Sequence, residues 1–80
     1  MIIIKYNAME NFKFEALMTE DSQVRKLEES IRKIPNIRDW QITKQLNGIL
    51  LSVKATNIRA FDIVLTLKAD GFSLEQLYEE

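Results

Sequence analysis

From Ile37 to Thr56, apolar and polar side chains alternate on both sides of an Asn-Gly pair. Such alternation marks strands with one buried and one wet face. The runs IRDWQITKQL and ILLSVKAT therefore predict a β-hairpin, with Asn47-Gly48 as a two-residue type I′ turn, since that turn takes positive φ at both central positions. A turn there sets Leu46 opposite Ile49, Ile42 opposite Val53 and Trp40 opposite Ala55 on the apolar side. Gln45 then meets Leu50, Thr43 meets Ser52 and Gln41 meets Lys54 on the polar side.

Elsewhere the pattern changes period. MIIIKY (1–6) is β-branched and reads as a strand, NAMEN (7–11) as a turn, and FKFEALM (12–18) as a second alternating strand. TEDSQVRKLEESIRKI (19–34) has Val24, Leu27, Ile31 and Ile34 at helical spacing. Thr19 is the expected N-cap, with acidic Glu20 and Asp21 suited to the first turn. Glu28 with Arg32 and Glu29 with Lys33 are spaced for ion pairs, and Pro35 ends the helix. A second helix is predicted over 57–70, capped by Thr56 or Asn57 and stopped by Gly71, with Phe61, Val64, Leu65 and Leu67 inward. Ser73 and Gln76 are spaced as a capping box, so a short C-terminal helix is expected to close the core through Leu74, Leu77 and Tyr78.

The predicted order is ββαββα within one α+β domain spanning 1–80. Its two long helices cover one face of a four-stranded, mainly antiparallel sheet, followed by the short C-terminal helix. Strand order stays open, a ferredoxin-like arrangement with the first strand at an edge being the alternative. Phe12, Phe14, Ala16, Thr19, Val24 and Leu27 match Ile49, Leu51, Val53, Thr56, Phe61 and Val64 in pattern at an offset of 37, which suggests a duplicated unit.

Charge narrows the choice of partners. The chain has 11 basic and 12 acidic residues, a net charge of −1. Nucleic-acid binders generally carry a basic excess that neutralises phosphates, so this balance argues against them. Arg25, Lys26, Arg32, Lys33 and Lys44, with Lys54, are the residues through which the alternative, a nucleic-acid-binding role, would act. Base stacking on the sheet would need aromatics on the wet face, where the phasing puts Gln, Thr and Ser. The 73–80 segment is too acidic for a recognition helix. MIIIKY is too short for a signal peptide core, and no apolar run approaches the ~20 residues of a membrane span, so a cytoplasmic protein is expected.

The sequence has neither histidine nor cysteine. The commonest general base, metal ligand and thiolate nucleophile are thus missing, and no calcium loop or Gly-rich phosphate loop is present. No catalytic residue, metal or cofactor is assigned, and an enzyme is not expected. What stands out is apolar residues on the wet face. Ile3, Leu17 and Leu50 among Gln41, Thr43, Gln45, Ser52 and Lys54 mark an expected binding surface for another protein or a second copy. The expected role is a regulator, an inhibitor or an accessory subunit acting through protein contacts, as a homodimer, with an accessory subunit that completes another enzyme's site as a further alternative; a virus or mobile element would suit a chain of this size.

Overall fold

Strand period and helix period alternate along the chain, and the elements follow them. The computed structural model describes residues 9–78. Its elements are β1 (Glu10–Ala16), α1 (Asp21–Arg32), β2 (Ile37–Gln45), β3 (Gly48–Ala55), α2 (Ala60–Ala69) and β4 (Glu75–Leu77). The strands form one antiparallel sheet in the order β2-β3-β1-β4. An α+β protein with a four-stranded antiparallel sheet and two helices is thus present, in the ferredoxin-like βαββαβ order. The strand expected over 1–6, with Ile3, lies outside the described residues. No described helix is long and apolar enough to cross a membrane.

At the centre of the sheet Phe14 pairs with Leu51, flanked by Phe12 with Val53 and Ala16 with Ile49. These are the positions matched at an offset of 37, so the ladder is symmetric under the repeat seen in the sequence. Their side chains point to the helix side. Phe14, Ile49, Leu51, Val53 and Ala55 form the core with Leu27 and Ile31 of α1, Ile34 just after it, and Ala60, Ile63 and Leu67 from α2. Each large apolar side chain buried there stabilises the fold by about 1.5–3 kcal/mol. Trp40 and Ile42 pack against this core half-buried, because β2 is an edge strand; the Arg32 guanidinium covers the Trp40 ring 5.7 Å from its centroid.

The hairpin turn differs from expectation. Gln45 pairs with Gly48, Ile42 with Leu51 and Trp40 with Val53, so Leu46-Asn47 form the turn and the register moves by two residues. A shift of two preserves which face each side chain occupies. Neither Leu46 nor Asn47 has positive φ, so the turn is not type I′. Gly48 is needed inside the strand instead: a Cβ there would lie 2.2 Å from the Ala16 carbonyl oxygen. Its value is close backbone approach between β3 and the end of β1.

The second helix is also phased differently. Ala60, Ile63 and Leu67 face inward, Val64 is partly buried, and Phe61 and Leu65 are exposed. The helix is apolar nearly all round, so periodicity alone selects no face. Its start is delayed by a stitched junction. The Thr56 N–H donates to the Asn36 carbonyl at 3.0 Å, and Thr56 Oγ1 accepts from Arg38 Nε at 3.3 Å. Asn36 and Asn57 adopt φ of 75° and 56°, a region asparagine tolerates. Arg59 becomes the N-cap, with its N–H and Nε both donating to Asp62 Oδ2 at 3.2 Å.

Gly71, at φ 96°, does end α2. Phe72 N–H donates to the Leu67 carbonyl and Gly71 N–H to the Lys68 carbonyl, both at 2.9 Å, the Schellman pattern. The chain then forms β4 rather than the expected helix, pairing Glu75, Gln76 and Leu77 with Glu15, Phe14 and Lys13. A helix this short is marginal in water, whereas the edge of β1 offers ladder hydrogen bonds at once. At α1 the N-cap is Glu20 rather than Thr19, without a side-chain cap bond. The two ion pairs expected along α1 are replaced, among the described residues, by Lys44 with Asp21 and Arg59 with Asp62.

Candidate protein-interaction surface

Because both helices pack on the Phe14 side, alternate residues of every strand face away from them. Register places Gln41, Ser52, Lys13 and Leu77 in one row across that open face, and Thr43, Leu50, Glu15 and Glu75 in the next. Lys54 pairs with Asp39 and Asn11 in a third. Five residues expected on a binding surface, Gln41, Thr43, Leu50, Ser52 and Lys54, thus share one face; Leu50 and Ser52 are half-buried and the other three exposed. Gln45 lies at its end, and Leu17 just beyond β1. No aromatic occupies the open face of the described strands, since Phe12, Phe14 and Trp40 belong to the helix side.

At one end of the sheet this face runs into a cleft of about 840 Å³. Three segments converge there: the end of β1 through Met18, the β2–β3 turn, and the Gly71–Glu75 passage into β4. The close approach of Gly48 to Ala16 brings the first two together. Two leucines stand on this cleft almost fully in solvent, Leu17 at 91% and Leu46 at 94% exposure, with half-buried Phe72 and Leu74 beside them. Phe72, just after the Schellman turn, and Leu74, just before β4, line the cleft while packing against the core. Glu15 and Glu75 are direct cross-strand partners at its border.

Leu46 and Glu75 were not legible as surface residues from sequence, nor Phe72 and Leu74 as cleft-lining ones; Leu74 does pack against the core as expected, whereas Tyr78 is exposed. Leu46 reads as core as long as Asn47-Gly48 is taken for the turn. The other three read as a helix and its entry. A second exposed apolar patch, Phe61 and Leu65 on α2, escaped for the reason of phase given above.

The basic residues are distributed differently. Arg25, Lys26, Arg32 and Lys33 are exposed on and just after α1, but Arg32 lies over Trp40 and Lys44 bonds Asp21. The Lys44 hydrogen bond, with its charge and that of Arg25, holds the Asp21 carboxyl below its usual value. Lys44 and Lys54 sit on opposite faces of the sheet, as their register partners Ile49 and Asp39 show. Asp62, at the start of α2, is likewise held low by its hydrogen bonds with Arg59. Every buried side-chain polar atom among the described residues has a hydrogen-bond partner, so the interior leaves no group seeking a ligand. Set against family models, curated proteins and solved structures, the chain matches none of them.

Proposed function

We propose that this chain is a protein-binding module, acting as a regulator, inhibitor or accessory subunit rather than as a catalyst. Its working surface is the open sheet face together with the cleft at the sheet end. The carrying observation is the near-complete exposure of Leu17 and Leu46 on a cleft that Phe72 and Leu74 also line. Folding gains almost nothing from these two side chains, whereas burying one fully against a partner is worth about 1.5–3 kcal/mol. Leu50 and Leu77 extend the apolar area onto the open face. A homodimer through the same face fits this reading, and a reducing cytoplasm suits a cysteine-free chain.

The test uses the wild-type chain, Leu17→Ser/Leu46→Ser and Leu50→Lys as baits at low and high salt, with sedimentation velocity of each. Partner capture or self-association that survives high salt and is lost in the variants supports the proposal. Capture that collapses with salt and persists in the variants overturns it in favour of phosphate contacts by the basic residues, which weaken steeply with ionic strength.

A further inference from the structure

Glu15 and Glu75 face each other directly across the β1–β4 ladder. Like charges in that relation destabilise a sheet. Among the described residues that line the cleft, Glu15 and Glu75 are the only charged ones, and Leu17, Leu46, Phe72 and Leu74 line it with them; Lys13 lies one row away on the open face, beside Leu77. Folding gains little from the two exposed leucines, the carboxylates face each other at the cleft border, and all four line one concavity. Both features are explained by an occupant with apolar side chains and a positive charge between them.

Resting on the protein-binding reading above, we infer that the cleft takes a segment of a partner protein in which Leu- or Phe-like side chains flank a lysine or arginine. The apolar side chains would lie against Leu17, Leu46, Phe72 and Leu74. The cation would sit between Glu15 and Glu75, relieving their repulsion. Recognition is then electrostatic in its selectivity and apolar in its affinity, with acidic segments rejected by the same pair.

The probe is the peptide acetyl-Leu-Lys-Leu-Arg-Leu-amide, compared with acetyl-Leu-Glu-Leu-Glu-Leu-amide. Each is titrated into the ¹⁵N-labelled full chain and followed by amide chemical shifts. The basic peptide should shift Leu17, Leu46, Asn47, Gly48 and the Gly71–Glu75 amides, and bind at least tenfold more tightly than the acidic one. Glu15→Gln/Glu75→Gln should weaken the basic peptide about tenfold while leaving the chain as stable as before or more so. A merely structural pair would show the reverse, with stability lost and binding kept. Equal binding of both peptides, lost only in Leu17→Ser/Leu46→Ser, would overturn the charge inference and leave the protein-binding reading intact. Absence of binding by either peptide, or cleft shifts that follow the protein's own concentration instead, would also overturn it. The salt-resolved capture experiment then decides separately whether the broader reading stands.

Discussion

Replacing Gly48 by alanine should destabilise the protein even though the residue sits in a strand and has no positive φ. In an ordinary strand position, Gly→Ala restricts the unfolded chain and stabilises by about 0.4–1 kcal/mol. Here the new methyl would lie 2.2 Å from the Ala16 carbonyl oxygen, 3.2 Å from its carbon and 3.3 Å from the Leu17 Cα. All three are backbone atoms, so no side chain can rotate away and β1 must retreat from β3. Overpacking of this kind costs about 1–3 kcal/mol, which leaves a net loss of roughly 1–2 kcal/mol after the unfolded-state gain. For 80 residues that corresponds to a Tm lower by roughly 4–16 °C. Urea unfolding followed by the single tryptophan, Trp40, reads it directly: the midpoint should fall with the slope unchanged. Asn47→Gly is the companion. With Asn47 outside the positive-φ region, added flexibility should destabilise slightly, whereas a type I′ turn would tolerate or welcome it. A Gly48→Ala chain as stable as wild type would refute the close-approach argument, and with it the way the cleft is built.

Phe14→Ala empties the centre of the sheet and should cost about 3–5 kcal/mol, a large share of a small protein's stability; thermal unfolding measures it. Asp21 and Asp62 are both held below the usual 3.8, so they stabilise the fold fully above that pH and lose the contribution as pH falls through their lower folded values. Acid unfolding of Asp21→Asn/Asp62→Asn should therefore be flatter below pH 3.8 than that of wild type, with the difference shrinking in salt. Arg32→Ala removes the cation over Trp40 and should cost about 0.5–1 kcal/mol with a red shift of Trp40 emission as the ring gains water.

Strict alternation made the hairpin and its inward face legible, because a two-residue register error leaves the face assignment unchanged. The α1 stripe was legible too, since polar residues bound it on both sides. What escaped did so for local reasons. Asn47-Gly48 carries the signature of a tight turn, but long-range contact with Ala16 claims the glycine, and sequence holds no sign of that approach. Helix α2 is apolar nearly all round, so Phe61 and Ile63 exchange roles unannounced. The Ser73/Gln76 spacing favours a helix locally, yet the free edge of β1 wins residues 75–77. The first and the last of these outcomes create the candidate site: the displaced turn exposes Leu46, and β4 brings Glu75 opposite Glu15. Local propensity was overruled where tertiary pairing assembles the cleft.

The most direct measurement is the stability and partner binding of Leu17→Ser/Leu46→Ser, taken on one preparation. Side chains this exposed add little to folding, so the unfolding free energy should stay within about 0.5 kcal/mol of wild type, while the proposed interaction surface predicts that binding is lost. A variant that binds as wild type does, or one that unfolds far more easily, would contradict a surface reserved for a partner.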